Sequence, residues 1–286
     1  MSSELFRRYE GNPILTAAEW PYTVNAVLNP GVTRFGGETL LLVRVEDRTG
    51  LSHLCVARSA DGLTNWIVEP DRRLLPEVES QPERFGIEDP RITPYGDEQM
   101  IVYTGYSDVG PLVCLAATRD FRSYERRGVV MPPEDKDAAL FPCQFDGRWA
   151  LIHRPVATTP GHEAHIWLSW SPDLRHWGDH TILLRAREGA WWDAHKVGLC
   201  PPPAPHSARM APPLPRRPRH RRRLHLPARP RAPRDRAARQ GARTLERMDL
   251  RPQRAVRARR RRQQRRLPVW LAARRRRHAA RLLRRC

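Results

Sequence analysis

The fold prediction starts from Ser59-Ala60-Asp61-Gly62-Leu63-Thr64-Asn65-Trp66, because two later segments repeat its form. They are Thr118-Arg119-Asp120-Phe121-Arg122-Ser123-Tyr124 and Trp170-Ser171-Pro172-Asp173-Leu174-Arg175-His176-Trp177. Each segment follows an apolar run, places an aspartate in a turn, and carries an aromatic residue four or five positions after that aspartate. The aspartates lie 59 and then 53 residues apart. This spacing favours the four-stranded blades of a β-propeller over a β-sandwich, which has no such period.

Short runs of β-branched and aromatic residues, bounded by Gly, Asp and Pro, predict strands around these repeats. The runs are Thr39–Val45, Met100–Thr104, Leu112–Ala116, Trp149–His153 and His165–Trp170. No helical periodicity of comparable length competes with them, so the sequence predicts an all-β fold. Three repeats predict about three blades, which is fewer than the roughly four to eight blades that close a propeller.

The composition of the chain changes near Cys200. Residues 201–286 hold 30 Arg, no Lys and three acidic residues, a net charge of +27, whereas the first 200 residues carry −7. The first part is rich in aromatic residues and long enough to bury a core. The second part has many prolines and no Tyr, Phe or Ile, and it is predicted to be disordered. We therefore predict a partial propeller over residues 1–203 and an Arg/Pro-rich tail over residues 204–286.

The cysteines, at positions 55, 114, 143, 200 and 286, are odd in number and have no CxxC spacing. This pattern predicts reduced thiols in a cytoplasmic protein, with neither a disulfide framework nor a zinc site. The amino terminus lacks the pattern of a signal peptide, and no apolar run approaches the roughly 18 residues that a membrane span requires. A cytoplasmic location is the prediction that follows.

The stretch Gly86-Ile87-Glu88-Asp89-Pro90-Arg91 contains the candidate catalytic acid, Asp89. Proline disfavours the right-handed helical conformation in the residue before it, so Asp89 is predicted to lie on an extended or turn segment. Neighbouring side chains on an extended segment point in opposite directions, so only one of Glu88 and Asp89 is expected to face a given pocket. A rigidly held carboxylate near a guanidinium group suits a general acid that cleaves an acetal. The alternative is an Asx-type turn that closes a surface loop.

Basic side chains interrupt or follow several strands. They are Arg44, Lys136, His153 with Arg154, and Lys196. Such positions from successive blades converge on the central channel of a propeller, and a cluster of Arg and Lys facing a carboxylic acid predicts bound phosphate. Taken singly, each base has a simpler interpretation as a solvated surface charge.

Six ordered motifs, spread over about residues 8–203, resemble glycoside hydrolase family 130, whose members are five-bladed β-propellers that act on β-mannosides. The motifs are Asn25–Gly31, Arg44–Asp47, Gly86–Arg91, Leu140–Pro142, His153–Pro155, and Trp191–Asp193 with Lys196. Most members are phosphorylases that release α-mannose 1-phosphate by single-step inversion, and members that hydrolyse have lost phosphate-binding bases.

The resemblance implies a role for each matched residue. Asp89 matches the general acid, which is thought to act through the mannose 3-hydroxyl. The phosphate-binding bases are matched by Arg44, Lys136, Arg154 and Lys196, and sugar-contacting or supporting positions by Asn29, Tyr103 and Asp193. Inorganic phosphate is the implied co-substrate, with no metal or nucleotide cofactor. Hydrolysis of β-mannosides, the acceptor sugar, and a homo-oligomer of the full-length protein all remain open.

The resemblance stops after Pro203, where the Arg-rich tail begins. Read one base later with permitted codons, Arg209–Pro215 gives Gly-Trp-Leu-Leu-Leu-Tyr-His, and the same shift yields strand-like text at several later places. The tail is therefore interpreted as a frameshift product that replaces the last two blades. The alternative is a genuine basic tail that binds nucleic acid electrostatically, although it lacks the lysines and interleaved aromatics of typical single-strand binders.

Overall fold

A computed structural model describes residues 8–158, 162–191, 193–199 and 201–203. All of them belong to one compact unit, and the other unit into which the chain divides, residues 208–271, lies outside the described residues. The predicted tail, its frameshift interpretation and its predicted disorder also fall on residues that the structure does not describe.

The described residues form twelve strands and two short 3-10 helices, Ala17–Glu19 and Gln81–Glu83. Three antiparallel sheets of four strands follow one another along the chain. The first sheet contains β1 (Ala26–Phe35), β2 (Glu38–Glu46), β3 (Ser52–Ser59) and β4 (Ile67–Leu74); the second contains β5 (Ile87–Tyr95), β6 (Glu98–Ser107), β7 (Gly110–Thr118) and β8 (Glu125–Met131); the third contains β9 (Asp135–Leu140), β10 (Trp149–Pro155), β11 (Ile166–Ser171) and β12 (Gly178–Leu184). The all-β prediction and the five predicted strands are confirmed.

Each sheet is a simple up-and-down meander, as in a propeller blade, and the first strands of successive sheets are neighbours. Strand β1 packs against β5, and β5 packs against β9. We call β1, β5 and β9 the inner strands. The arrangement is that of three successive blades of a propeller-type fold.

The sheets stack through two apolar layers, and β6 contributes to both of them. Ile101 is fully buried in the layer shared with the first sheet, whereas its neighbour Val102 is buried in the layer shared with the third. Successive side chains of a strand point to opposite faces, so a sheet covered on both sides needs a continuous apolar run. This requirement explains why Met100–Thr104 was recognisable as a strand from the sequence.

The repeated aspartate forms the same turn in all three sheets, between the third strand and the fourth. Oδ1 of Asp61 accepts hydrogen bonds from the backbone N–H groups two and three residues further on, as do Asp120 Oδ1 and Asp173 Oδ1. A Ser or Thr hydroxyl two residues earlier completes each turn. The predicted Asp turn is confirmed as a feature of every described sheet.

One prediction about the cysteines is wrong. Cys55 and Cys114 are free and buried, as predicted, but Cys143 is disulfide-bonded. Its partner lies outside the described residues. Sequence spacing did not indicate the bond, because the two cysteines of a disulfide need to be close only in the folded chain. None of the described helices has the length and apolar character needed to cross a membrane.

Candidate active site

Each inner strand carries one Asn or Asp residue in the left-handed region of backbone conformation. The φ angles are 38° at Asn29 in β1, 50° at Asp89 in β5 and 51° at Asp137 in β9. Asn and Asp tolerate this region better than other residues with a side chain. The strand register shifts beside Asn29 and Asp89, and the pairing of β9 with β10 is interrupted between Lys136 and Ala139, around Asp137. Irregularities of this kind re-aim a side chain, here at the same end of all three inner strands.

The carboxylate of Asp89 is held on one of its two oxygens. Oδ1 accepts hydrogen bonds from Asn29 Nδ2 at 3.0 Å and from Arg44 Nη1 at 3.2 Å. No hydrogen bond from the described residues reaches Oδ2. Arg91, which the sequence places near this carboxylate, donates instead to the backbone carbonyls of Asp89 and Pro90 and so braces the bulge. The acid is therefore fixed in orientation with one oxygen left available.

The prediction that Glu88 and Asp89 point in opposite directions is wrong, although only Asp89 of the two lines the pocket described below. Arg44 contacts both of them, with Nη2 at 2.9 Å from Glu88 Oε1. The alternation holds only for regular strand conformation, and the bulge and the positive φ at Asp89 break it. Burial raises the pKa of Glu88, while Arg44 and Lys136 oppose that change.

One pocket of about 670 Å³ brings together four of the eight predicted site residues. Asp89, Lys136, Arg154 and Lys196 all line it. Arg44 reaches it indirectly, through its contact with Asp89. The chain contains only two lysines, Lys136 and Lys196, and both line this pocket.

The bases around the pocket differ in how they are held. Arg154 donates two hydrogen bonds to Asp137 Oδ2, from Nε at 2.8 Å and from Nη2 at 2.7 Å. Lys136 Nζ lies 3.8 Å from Glu88 Oε2. Lys196, exposed in the loop after β12, has no ion pair with any of the residues that the structure describes. The pocket thus combines the oriented guanidinium group of Arg154 with the ammonium group of Lys196, which has no ion pair among the described residues, and this set suits a small multivalent anion.

Four further polar residues line the pocket that were not predicted from the sequence: Asp137, Thr158, His162 and His195. Asp137 left a recognisable signal, because it occupies in β9 the place that Asn29 and Asp89 occupy in β1 and β5. An alignment of the inner strands with one another would have found it. The two histidines lie in loops whose sequence carries no comparable repeat.

Three of the singled-out residues that the structure describes neither line the pocket nor, unlike Asn29 and Arg44, form a hydrogen bond with Asp89. Tyr103 is 2% exposed, lies in the apolar layer, and donates from its hydroxyl to Glu83 Oε1 at 2.6 Å. His153 is buried, with Nδ1 2.5 Å from Asp135 Oδ2 and Nε2 2.7 Å from Ser169 Oγ. Asp193 pairs with Arg187 instead. A strand alternates its faces, so the residue next to Arg154 points away from the pocket that Arg154 lines.

Comparison with known proteins assigns the family. The family model described as beta-1,4-mannooligosaccharide phosphorylase matches residues 4–209. The chain is 31% identical to a 1,2-beta-oligomannan phosphorylase of Thermoanaerobacter sp., over 69% of this chain and 67% of that protein. It is 27% identical to a beta-1,4-mannooligosaccharide phosphorylase of Ruminococcus albus, over 68% of this chain and 59% of that protein.

A solved structure of the beta-1,2-mannobiose phosphorylase from Listeria innocua, in complex with beta-1,2-mannobiose, superposes with a TM-score of 0.60. The two chains are 28% identical, and the match covers 67% of this chain and 69% of that one. The shared fold, together with the family match over most of its length, shows that the chain belongs to glycoside hydrolase family 130, a family of mannoside phosphorylases.

Proposed function

We propose that the protein catalyses the inverting phosphorolysis of β-mannosides, transferring a mannosyl group to inorganic phosphate to give α-mannose 1-phosphate. The observation that carries this proposal is the pocket itself. It holds the carboxylate of Asp89, one oxygen of which accepts no hydrogen bond from the described residues, beside the three bases Lys136, Arg154 and Lys196. Acid catalysis of glycoside cleavage needs the carboxyl group, and binding of a multiply charged nucleophile needs the bases.

In the proposed reaction Asp89 is the general acid. The hydrogen bonds from Asn29 and Arg44 fix its carboxyl group through Oδ1 and leave Oδ2 to carry the proton towards the leaving oxygen. Phosphate attacks the anomeric carbon from the opposite face of the sugar ring, so the configuration inverts in one step. The general acid comes from the inner strand β5, and the bases that would hold the anion come from β9, from β10 and from the loop after β12.

The bases favour phosphate over water as the nucleophile. An inverting hydrolase uses a second carboxylate to activate water. The second carboxylate of this pocket, Asp137, instead has its Oδ2 atom engaged by two hydrogen bonds from Arg154, so it orients a base of the cluster. Phosphorolysis by this route requires neither a metal ion nor a nucleotide.

The substrate class is proposed to be a β-mannoside, with the linkage as the open variable. The Thermoanaerobacter and Listeria relatives are named for β-1,2-linked mannosides, and the Ruminococcus albus relative and the family model for β-1,4-linked ones. The acceptor sugar would occupy the part of the pocket beyond Asp89. Because no described residue distinguishes the two linkages, both substrates belong in the test.

The test is an incubation of the protein with β-1,4-mannobiose or β-1,2-mannobiose, with and without inorganic phosphate. Mannose 1-phosphate that appears only when phosphate is present is the expected product. Free mannose released at the same rate without phosphate would contradict phosphorolysis and favour the hydrolytic alternative.

We further propose that residues 204–286 are a frameshift product and that activity requires the restored reading frame. Two observations support this proposal. Residues 1–200 carry a net charge of −7 whereas residues 201–286 carry +27, and translation of the tail in the shifted frame gives a sequence like that of the family. The assay is therefore run on the 286-residue chain and on a frame-restored form with the same residues 1–203. Full activity of the 286-residue chain, from a resequenced and unchanged gene, would contradict this second proposal.

A further inference from the structure

The second carboxylate of the pocket, Asp137, has no role in the proposed chemistry, yet its geometry is well defined. It lies on the inner strand β9, next to Lys136, with 14% of its side chain exposed. Its Oδ2 atom accepts both hydrogen bonds from Arg154. Oδ1 receives no hydrogen bond from the described residues, and it is not among the buried polar atoms that lack a partner. Oδ1 is therefore an accessible acceptor in the pocket that Lys136, Arg154 and Lys196 also line.

An ionised carboxylate can only accept hydrogen bonds, so Asp137 distinguishes oxyanions by whether they carry a proton. Inorganic phosphate and arsenate keep at least one proton at neutral pH and can donate it to Oδ1. Sulfate has the same shape but carries no proton, so its negatively charged oxygens would be repelled by the carboxylate. A site discriminates when one ligand gains a bond and the other gains a repulsion.

Resting on the proposed function, we propose that Asp137 is the residue that selects phosphate, by accepting the proton of the bound hydrogen phosphate and repelling oxyanions that have none. Lys136, Arg154 and Lys196 supply attraction that any tetrahedral dianion would share. The negative charge of Asp137 weakens the binding of every such dianion. Only a protonated dianion offsets that repulsion, by donating a hydrogen bond to Oδ1.

A purely structural role for Asp137 makes a different prediction. If the carboxylate served only to hold Arg154, its removal would weaken the binding of phosphate and sulfate by the same factor. The ratio of the two dissociation constants therefore separates selection from support, whereas the loss of activity alone does not.

The experiment measures dissociation constants for phosphate, arsenate and sulfate by isothermal titration calorimetry at pH 7. The proteins are the wild type, Asp137→Asn and Asp137→Gly, each as the 286-residue chain and in the frame-restored form. Asn and Gly both tolerate the φ of 51° at this position, so the backbone conformation is preserved. Asp97→Asn is the matched control, because it removes an Asp–Arg pair with Arg119 at the opposite end of the second sheet.

We expect the preference for phosphate over sulfate to fall by about tenfold or more in both Asp137 variants, the size of a lost hydrogen bond to a charged group. Arsenate should follow phosphate, and Asp97→Asn should keep the wild-type ratio. A ratio unchanged within about twofold in both Asp137 variants would overturn the proposal. That result would leave phosphorolysis standing, because phosphate-dependent release of mannose 1-phosphate is measured separately.

Discussion

The inner strands differ from the strands beside them in backbone regularity and in burial. Strand β6 is regular, and residues 99–105 are buried, so it serves packing alone. Its neighbour β5 carries Glu88, Asp89, Pro90 and Arg91, breaks its register with a bulge, and places Asp89 in the left-handed region. Departures from ideal backbone geometry persist where the surroundings hold them in place, and they cluster at functional sites. The contrast indicates that the first strand of a sheet gives up regular geometry at the site, whereas second strands contribute to the site only near their ends, through Arg44 in β2 and Arg154 in β10.

The largest effect is expected from Asp89→Asn, a change confined to the inner strand. The amide keeps the size, the tolerance of positive φ and the hydrogen bond from Arg44, but it cannot donate a proton as a carboxylic acid does. We expect the turnover number for phosphorolysis to fall by about 10² to 10⁴-fold, with thermal unfolding little changed. Steady-state kinetics of the frame-restored protein measure this.

The Asp97→Asn variant is the control for that loss, because Asp97 lies in the turn at the far end of β5. If Asp97→Asn lowered the turnover number as much as Asp89→Asn does, the loss could not be assigned to a catalytic role of Asp89.

Gly86→Ala should be the most damaging change to the stability of the segment that leads into Asp89. Gly86 has a φ of 106°, and a Cβ atom there would lie 2.8 Å from Ser52 N and 2.9 Å from Ser52 O. The Ser52 backbone cannot yield without moving β3, so we expect a loss of about 2 to 4 kcal/mol in the free energy of unfolding. Urea denaturation measures it.

Gly96→Ala provides the matched comparison for that variant. Gly96 also has a positive φ, 60°, but a Cβ atom there would meet nothing within 4 Å. Only the backbone strain remains, so the expected loss is about 1 kcal/mol. If both variants lost the same amount, the close approach of Gly86 to Ser52 would not be a constraint.

Lys196→Met should raise the KM for phosphate by about tenfold while changing the turnover number less. Methionine keeps a long flexible side chain and removes the charge, and Lys196 is the pocket base without an ion pair among the described residues. Arg122→Met, in the exposed turn of the second sheet, is the control. A KM for phosphate that stayed at the wild-type value in Lys196→Met would remove this residue from the phosphate site.

The smallest effect is expected in the Asp turns, which lie outside the site. Backbone hydrogen bonds from Ser123 and Arg122 lower the pKa of Asp120 to about 2. Because this pKa lies below the usual value of 3.8 for an aspartate, the turn stabilises the fold fully above about pH 4 and loses that contribution as the pH falls towards about 2. Melting temperatures of wild type and Asp120→Asn should differ at pH 6 and converge near pH 2. A difference that persisted at pH 2 would contradict this.

The two kinds of strand also explain what the sequence could predict. Runs such as Leu112–Ala116 were recognisable because a strand covered on both faces must be continuously apolar. The inner strands were missed as strands, since Pro30 and Pro90 and the polar residues around them break every local strand signal. The fourth strands β4, β8 and β12 were missed because polar or charged residues and partly exposed positions interrupt their apolar runs.

The sequence likewise predicted some residues of the candidate site correctly and misplaced or missed others. Asp89, Lys136, Arg154 and Lys196 were predicted from family motifs, and the structure brings them to one pocket. Tyr103 was assigned to the site by motif, but its burial depends on a contact with Glu83, twenty residues away in sequence. Asp137 was missed because its equivalence to Asp89 is visible only when β9 and β5 are aligned with each other. Neither strand was predicted from the sequence.

The account depends most directly on phosphate binding among the described bases, and the two lysines offer a direct measurement. Reductive methylation with ¹³C-formaldehyde keeps their positive charge and labels Lys136 and Lys196, the only lysines of the chain. We expect both dimethyl-lysine NMR signals of the frame-restored protein to shift on titration with phosphate, and to saturate at the same concentration as the rate of phosphorolysis. Signals that stayed fixed while phosphorolysis proceeded would contradict the placement of phosphate in this pocket.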